Sequence, residues 1–521
     1  MTGRTSVLIA GGGPVGMLLA AELGLWGVEA VVVEPHPHTQ DTPRAGTLHA
    51  RSVQSLLRRG HLRLRGRGSL EEERETSFHF GGAPILRIAT PTAEGPPIHG
   101  QSQAALEQAF ETRALELGAV VRRGHRFSAL RQDRGGVTAT VEGPDGPYEL
   151  TADYLVGCDG ARSDVRRAAG FACTTHEATF AAIVGLVRLR DPYAVPPGWT
   201  HTAEGWLLAN VNPAGHSRVI THDFRLPLPA RGSRATLEEL QGTLSRILGR
   251  PVALGDPAYL DRFSDFTRVA DRYRTGRVLL AGDAAHVHAP LGGQGLNTGL
   301  QDAFNLGWKL ALVARGDADG RLLDSYDTER RPVAEAVVAN TRVQAAVMRP
   351  GPENDHLREF TARMFRHPGV NREAADVISG QGIAYGPGGA ADPAVGRFLP
   401  NLALRTPHGP RTVAELLTPG RPLVLLRPEV ADALEPVAAG WGERVSTLRV
   451  DPEPDSAELR LGTGAPVPWS ALVCRPDGYL VWRADRAAGD AGAAGASTAD
   501  GAGLREALEG WFGPLHDRVE V

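Results

Sequence analysis

Apolar positions in the first 34 residues predict a strand, a helix and a second strand. Residues 5–10 (Thr-Ser-Val-Leu-Ile-Ala) have the length of a short buried strand and end in four apolar residues. A glycine-rich turn follows, and the apolar run from Pro14 to Trp26 has the length of a helix. Residues 28–34 are strand-like again and end in Glu34. The chain therefore begins with a βαβ unit.

The remainder of the first 380 residues mixes both kinds of element. Alternating or short apolar runs bounded by turn residues predict strands within 119–158, 181–225 and 277–281. Helical periodicity covers 101–118, about 294–315, 325–348 and 354–379.

The pattern changes after residue 385. Residues 386–400 are rich in Gly, Pro and Ala and are interpreted as a linker. The residues that follow are about as many as one small domain holds. Strand-like runs lie at 423–426, 445–450, 471–474 and 479–483, and a final amphipathic helix is predicted over 503–512. Residues 487–502 are almost all Ala, Gly, Asp and Ser, which predicts a flexible loop.

Composition narrows the class of protein. A chain of 521 residues has room for about three domains. A net charge of −4 gives no electrostatic footprint for nucleic acid. The three cysteines lie far apart, so neither a disulfide framework nor a cysteine zinc site is expected. No apolar run reaches the ~18 residues that span a bilayer. We therefore expect a cytoplasmic enzyme that binds neither nucleic acid nor membrane.

The turn after the first strand carries the strongest local signal, Gly11-Gly12-Gly13-Pro14-Val15-Gly16. In this G-x-G-x-x-G, Gly11 permits the tight turn, Gly13 lets a pyrophosphate approach the backbone, and Gly16 permits close helix–strand packing. The helix amino terminus offers free N–H groups to the phosphates. Glu34 can accept hydrogen bonds from a ribose diol and argues against a 2′-phosphate. The bound dinucleotide is therefore FAD or NAD.

Two later segments favour FAD. Within 154–166 a strand delivers Asp159-Gly160 to the start of a helix, and within 277–299 a strand delivers Gly282-Asp283 before a glycine-rich turn opens a long helix. The Asp283 carboxylate could bind a ribityl or ribose hydroxyl. The N–H groups of Gly295, Leu296 and Asn297 could face the flavin C2 carbonyl. Negative charge gathers there when flavin is reduced, so a helix amino terminus would stabilise the reduced ring.

The ordered set of motifs resembles the FAD-dependent group A aromatic hydroxylases, above all the branch that tailors angucycline- and anthracycline-type polyketides. The stretches that carry the resemblance are Pro43-Arg44-Ala45 through Arg51, Gln101-Ser102, Gly157–Val165, Gly276–Ala311, Asp324-Ser325-Tyr326, Glu329–Pro332 and Arg475–Tyr479. The resemblance implies an α/β fold with three domains. These are a GxGxxG, glutathione-reductase-type Rossmann domain for FAD (1–75, 100–175 and 270–385), a β-sheet substrate domain (76–99 and 176–269) and a C-terminal thioredoxin-like domain (400–521).

The resemblance also implies a set of cofactor contacts. The implied residues are Gly11, Gly13, Val15, Gly16 and Glu34 at the ADP half, Phe127 near the adenine, Gln101 and Asp283 at the middle of FAD, Arg44 near the ring and the pyrophosphate, Pro290, Gly295, Leu296 and Asn297 at the isoalloxazine end, and Asp159 and Gly160 in a motif tied to both FAD and NADPH. The family has no second Rossmann domain for NADPH, and the chain has no second G-x-G-x-x-G.

The activity implied by the resemblance is hydroxylation of an aromatic polyketide. NADPH would reduce FAD, O₂ would form a flavin C4a-hydroperoxide, and one oxygen atom would pass to a phenolic ring. Arg372 aligns with a family arginine that faces substrate, and it would stabilise a phenolate because arginine stays charged. A helix-capping or surface role for Arg372 is the alternative. A Baeyer–Villiger oxygenase acting on a polyketide ketone or quinone, a non-catalytic flavoprotein that binds a reactive intermediate, and the oligomeric state all stay open.

Other candidate sites are weaker. The aromatic residues Phe180, Trp199, Trp206 and Phe224 fit either a sheet that covers a broad apolar pocket or plain core. The histidine pairs at 36/38 and 286/288 lack a carboxylate or cysteine partner at ligand spacing, so no metal site is expected. Cys474 stands alone in the C-terminal domain, which excludes a dithiol redox role there.

Overall fold

A computed structural model describes residues 4–40, 42, 45–63, 66, 68–230, 232–386, 392–461, 466–485 and 498–515. The strands up to residue 176 are β1 (Arg4–Ala10), β2 (Ala30–Glu34), β3 (Thr47–His49), β4 (Glu73–Phe80), β5 (Ala83–Pro91), β6 (Ile98–Gly100), β7 (Val120–Arg123), β8 (Arg126–Gln132), β9 (Val137–Gly143), β10 (Gly146–Gly157) and β11 (Cys173–His176). The strands from 181 to 287 are β12 (Ala181–Leu189), β13 (Gly198–His201), β14 (Gly205–Asn210), β15 (Ser217–Asp223), β16 (Leu254–Ser264), β17 (Thr267–Ala270), β18 (Arg274–Thr275), β19 (Val278–Leu280) and β20 (His286–Val287).

The C-terminal strands are β21 (Ala403–Thr406), β22 (Gly409–Thr412), β23 (Leu423–Leu426), β24 (Ser446–Arg449), β25 (Asp451–Pro452), β26 (Glu458–Leu459), β27 (Val467–Pro468), β28 (Ala471–Cys474) and β29 (Leu480–Ala484). The helices are α1 (Pro14–Gly24), α2 (Ala50–Arg58), α3 (Gln103–Glu116), α4 (Asp164–Ala168), α5 (Leu237–Leu248), α6 (Gly295–Ala314), α7 (Asp324–Val347), α8 (Pro352–Met364), α9 (Pro368–Ser379), α10 (Val413–Leu417), α11 (Pro428–Ala438) and α12 (Thr498–Phe512).

The central sheet has the strand order β18-β19-β10-β1-β2-β7, and the β8–β9 hairpin continues from β10. Strands β19, β10, β1, β2 and β7 run parallel. Helix α1 packs against both α3 and α6 beside the sheet. Because parallel strands are covered on both faces, residues 7–10 and 30–33 are all buried, which accounts for their uninterrupted apolar pattern.

A second sheet is antiparallel, with the order β13-β14-β15-β12-β16. Its side chains alternate between two faces. Ile183, Val187 and Leu207 pack with residues of α5 on one face. Ala182, Val184 and Trp206 pack on the other face, together with Ala289 and Leu291 from the turn before α6. The aromatic residues of this sheet therefore lie next to the predicted flavin end of the central sheet.

The C-terminal part has a four-stranded sheet of order β24-β23-β28-β29. Strands β23 and β24 are parallel, and β28 and β29 form an antiparallel hairpin beside β23. Helices α11 and α12 pack against each other on one face. A separate apolar cluster around Leu404, Trp469 and Cys474 fills the other face.

Three sequence-based expectations differ from the structure. The helical stretch predicted over 354–379 is two helices, because Pro368 has no N–H to donate and starts α9 after an extended His367. Helix α12 begins at Thr498, so the predicted loop over 487–502 is wrong for its last five residues; residues 486–497 lie outside the described residues. The end of the expected linker 386–400 is packed against the C-terminal domain, because Leu399 is fully buried and donates its N–H to Gly478 O at 2.8 Å. Residues 387–391 of this segment lie outside the described residues.

None of the helices in the described ranges is long and apolar enough to cross a membrane.

Candidate functional site

Four strand ends gather the predicted cofactor motifs at one edge of the central sheet. The parallel strands β19, β10, β1 and β2 end at Leu280, Gly157, Ala10 and Glu34. The Gly282-Asp283 pair, the Asp159-Gly160 pair and the glycine-rich turn follow the first three ends directly. Ligands of open α/β sheets bind beyond the carboxyl ends of their strands, and this edge is therefore the candidate site.

The glycines of the first turn show two different constraints. Gly11 has φ +107°, and a Cβ there would lie 2.3 Å from Cys158 O; a Cβ on Gly16 would lie 2.0 Å from Gly11 O. Neither position therefore has room for a side chain, because backbone atoms of the protein already occupy the space. A Cβ on Gly13 would have no protein atom within 4 Å. The space in front of Gly13 fits a group that approaches the backbone, which is how pyrophosphate meets this motif.

Glu34 is buried at the end of β2 and ties two turns together. Its Oε2 accepts from the Gly12 N–H at 2.7 Å, and its Oε1 accepts from the His36 N–H at 2.8 Å. Each carboxylate oxygen keeps a further lone pair for a ribose hydroxyl. The Glu34 carbonyl also accepts from His125 N–H at 3.0 Å, which places the start of β8 and buried Phe127 close to this end of the site.

The Gly-Asp turn and the start of α6 meet the first helix closely. A Cβ on Gly299 would lie 2.8 Å from Val15 Cγ2 and 3.2 Å from Gly282 Cα. The Asp283 side chain is exposed between buried Gly282 and buried Ala284. Asp283 and Val15 therefore stand at the same edge, beside the amino terminus of a 20-residue helix.

The turn before α6 presents the isoalloxazine candidates. Gly292 and Gly293 both have positive φ, and exposed Pro290 precedes them. Gly295 and Leu296 are half-buried in the first turn of the helix. No side chain of the described ranges caps this amino terminus, so its first N–H groups stay available to a ligand.

The side chain of Asn297 has a structural task. Its Oδ1 accepts from the His49 N–H at 2.8 Å, and its Nδ2 donates to Thr47 O at 3.0 Å and Gly293 O at 2.9 Å. These bonds hold β3 against the start of α6. Only the backbone of Asn297 is left to serve the predicted flavin contact.

The remaining predicted cofactor residues are Asp159, Gly160, Gln101 and Arg44, and their environments differ. Asp159 Oδ2 accepts two N–H groups of α4, from Asp164 and Val165, while its buried Oδ1 has no partner among the described residues. Burial raises the pKa of Asp159. Gly160 has φ +78°. Half-buried Gln101 donates its N–H to Gly46 O at 3.3 Å, and Arg44 lies outside the described residues.

Arg372 is placed on the solvent side of α9. Its side chain is 46% exposed, and its guanidinium lies 3.6 Å from the Glu73 carboxylate, which is also exposed. This position fits the alternative of a surface arginine. The contact between Arg372 and a substrate stays a prediction.

Sequence reasoning missed a cluster of imidazoles beside the second sheet. We define the imidazole–aromatic cluster as His49, Phe78, His79, Trp199, His201, Trp206, His222 and Phe224. Neighbouring rings in it lie between 4.3 and 5.8 Å apart. Burial lowers the pKa of His49, His79 and His201 to about 4. These imidazoles are therefore neutral at neutral pH.

Several polar atoms of this cluster lack partners within the described part of the chain. They are His49 Nδ1, His79 Nδ1, Trp199 Nε1 and His201 Nε2. His49 Nε2 lies 2.7 Å from Gly292 O, so Nε2 carries the proton and Nδ1 has the free lone pair. Buried polar atoms are normally bonded, so these four favour a ligand with polar groups.

Acid should destabilise the protein through His49. Its folded pKa is about 4, against about 6.5 in an unfolded chain. Between these values the unfolded chain binds the proton and the folded protein does not. Stability therefore rises with pH through this window and is lost on acidification, by up to about 3 kcal/mol for this group. Melting temperatures between pH 4.5 and 7 should show a shallower slope for His49→Gln than for the wild type.

The exposed histidine at position 408 provides the control for this measurement, as His408→Gln. An unchanged slope in His49→Gln would contradict a buried neutral imidazole at position 49.

No group of three metal-ligating side chains stands together in the part of the chain that the structure describes.

Comparison with known proteins assigns both halves of the chain. A family profile described as FAD binding domain matches residues 4–341, and one described as aromatic-ring hydroxylase, C-terminal, matches 392–514. The 12-dehydrotetracycline 5-monooxygenase/anhydrotetracycline 6-monooxygenase of Streptomyces rimosus is 37% identical over 98% of this chain and 99% of its own. The dialkyldecalin synthase of Streptomyces rugosporus is 34% identical over 98% and 99%. The crystal structure of CabE, an aromatic hydroxylase from angucycline biosynthesis, superposes with a TM-score of 0.85 at 33% identity, over 99% of this chain and 100% of CabE.

Proposed function

The chain belongs to the FAD-binding aromatic-ring hydroxylases, and from this premise we propose that it is an NADPH-dependent monooxygenase that hydroxylates an aromatic polyketide. The observation that carries the proposal is the meeting of the cofactor motifs at one sheet edge, next to a layer of aromatic rings and neutral imidazoles. The anhydrotetracycline monooxygenase and the aromatic hydroxylase from angucycline biosynthesis among its relatives support the substrate class.

FAD fits the residues at this edge. The open space at Gly13, the acceptor at Glu34 and the uncapped amino terminus of α6 match a pyrophosphate, a ribose and an electron-rich ring. When bound, the flavin would accept electrons from NADPH and deliver one atom of O₂ to the substrate. The residues of the chain would hold the isoalloxazine ring against α6 and exclude water from the ring.

The imidazole–aromatic cluster is the proposed substrate-binding layer. Its rings suit a planar aromatic body, since stacked and edge-on contacts favour ring partners. A neutral imidazole with a free lone pair can accept the hydrogen bond of a phenol and draw its proton away from oxygen. His79 and His201 offer such a nitrogen, and Trp199 Nε1 offers a donor for a carbonyl. Arg372 would need to leave Glu73 before it met a phenolate.

The C-terminal strand order, with a parallel pair beside an antiparallel hairpin, supports a thioredoxin-like domain. Thiol chemistry does not enter the proposal. Cys474 is buried, and burial raises its thiol pKa to about 12, so the reactive thiolate is absent at neutral pH. We propose that this domain has a structural role.

Turnover under ¹⁸O₂ tests the function. Holoenzyme given NADPH and tetracyclic phenols or naphthoquinones should consume NADPH faster than without substrate. Mass spectrometry of the product should show one labelled oxygen on an intact ring. Label in a lactone or a ring-opened acid would support the Baeyer–Villiger alternative instead.

The dialkyldecalin synthase relative favours a second candidate, a flavoprotein that binds an intermediate without oxygenating it. A product without label, formed while NADPH is not consumed, would overturn the monooxygenase proposal and support this alternative.

A further inference from the structure

A cleft of about 390 Å³ lies between α6, α7 and the segment that follows α9. Its apolar walls include Val333 and Val337 of α7 on one side and Ile378 and Ile383 on the other. The size is within the range of small-molecule sites, whose walls are mostly apolar with a few polar groups.

The cleft lies on a different side of α6 from the face that packs on Val15 and Gly282; Asn297, whose backbone is a predicted flavin contact, also lines the cleft. Gly299 packs against Val15 and Gly282, and Gly295 faces His288. The cleft is lined instead by Gln294, Asn297, Thr298 and Gln301. At about 100° per residue, the average direction of these four residues is roughly 130° around the helix axis from the two glycines. The cleft is therefore a separate place from the dinucleotide edge.

Two residues that line the cleft have buried amide oxygens that lack partners among the described residues. Gln294 is 2% exposed and Gln301 is 7% exposed, and the Oε1 atom of each is unbonded. The Gln294 amide nitrogen is occupied, because it donates to Leu291 O and Asn340 Oδ1 at 3.4 Å. A buried acceptor without a donor destabilises the folded protein, so a ligand that offers two donors would offset the desolvation of these oxygens.

The charges around the cleft disfavour a cationic ligand. The half-buried carboxyl of Asp376 also lines it. Burial raises the pKa of Asp376, and the guanidinium groups of Arg372, Arg51 and Arg397 counter this effect. Glu329 also lines the cleft, and its carboxylate is already bonded to Lys309 and Arg475, so positive groups outnumber the two carboxyls that line the cleft. A neutral molecule with hydroxyl donors meets none of this repulsion.

We propose that this cleft is a second binding site, for a neutral aromatic compound of about two fused rings that carries at least two hydroxyl donors. Its ring body would lie between the apolar walls, and its hydroxyls would donate to Gln294 Oε1 and Gln301 Oε1. Because Gln294 immediately precedes α6 and Gln301 is in its second turn, the ligand would fix the start of the helix that faces the flavin. Binding at this site would therefore change the protein surroundings of the flavin.

Binding of 2,7-dihydroxynaphthalene to the holoenzyme tests the inference. Calorimetric titration of the wild type should give a binding phase that Gln301→Met weakens at least tenfold, about 1.4 kcal/mol, since one acceptor is lost. Ala336→Trp should abolish the same phase, because exposed Ala336 lines the cleft and an indole would fill it. Gln108→Met, on the exposed side of α3, is the matched control and should bind as the wild type does.

The dimethoxy analogue, which has the same rings and no donors, should not bind in this phase. The flavin fluorescence of the wild type should change during this phase and not in Ala336→Trp. Equal binding by wild type, Gln301→Met and Ala336→Trp would overturn the proposal. So would the absence of any binding phase, which would mean that water satisfies the two oxygens. The titration contains no NADPH, so its outcome is independent of whether the enzyme hydroxylates.

Discussion

Gly13→Ala is expected to leave the protein folded and to remove its ability to retain FAD. Gly13 has φ −71° and ψ −179°, a conformation that any residue adopts, and an added Cβ would meet no protein atom within 4 Å. The same methyl group would occupy the space through which pyrophosphate approaches the N–H groups of α1. Hydrogen bonds to a charged phosphate contribute about 1.5–3 kcal/mol each, so losing two predicts affinity at least about 100-fold weaker.

Flavin fluorescence titration of the apoprotein measures that affinity, and circular dichroism melting measures the fold. Gly11→Ala is the informative contrast, because its Cβ would collide with Cys158 O at a positive φ and should lower the melting temperature itself. Gly510→Ala is the control for an added methyl in open space, on α12. Full FAD retention by Gly13→Ala would show that the turn does not hold a pyrophosphate.

Local rules were enough to predict the cofactor edge. The turn chemistry of residues 11–16 depends on neighbours within six positions, and the carboxyl ends of parallel strands must share an edge. The family interpretation drawn from these motifs is confirmed by the two profile matches and the relatives. The individual cofactor contacts stay predictions, and the Asp159 and Glu34 carboxylates stand where a ligand at this edge would reach them.

The imidazole–aromatic cluster could not be predicted in the same way. His49, His79, His201 and His222 come from strands that are distant in sequence, and only the packing of the second sheet against the start of α6 brings them together. A histidine in a strand carries no local sign of burial. The only usable signal was that Trp199 lies two positions before His201 and Phe224 two positions after His222.

The roles of side chains on the helices could not be predicted from the sequence either. Asn297 was expected at the flavin, and its amide is committed to β3. In the sequence, the motif from Glu329 to Pro332 indicates only the family. In the structure, Glu329 joins α6, α7 and the C-terminal domain through a buried ion cluster, which leads to the second large effect.

Glu329→Gln is expected to destabilise the protein by about 3–5 kcal/mol, the usual cost of leaving a buried charge without its partner. Glu329 accepts from Lys309 Nζ at 2.8 Å and from Arg475 Nη1 at 2.6 Å, and Arg475 also bonds Asp477. All four side chains are buried. Although burial alone would raise it, Arg475 and Lys309 lower the pKa of Glu329 to about 2, so the carboxylate is charged at neutral pH.

Urea and thermal melting followed by tryptophan fluorescence provide the measurement, since Trp308 lies 5.3 Å from the Arg475 guanidinium. Glu335→Gln is the matched control, because Glu335 pairs with Arg331 on the same helix with half of its side chain exposed. Such a surface pair contributes less than about 1 kcal/mol. The double variant Lys309→Met/Glu329→Gln should recover much of the loss, because it leaves Arg475 and Asp477 balanced one to one. If Glu329→Gln cost no more than Glu335→Gln, or if the double variant were worse than the single one, charge balance would not be what holds the C-terminal domain to α6 and α7.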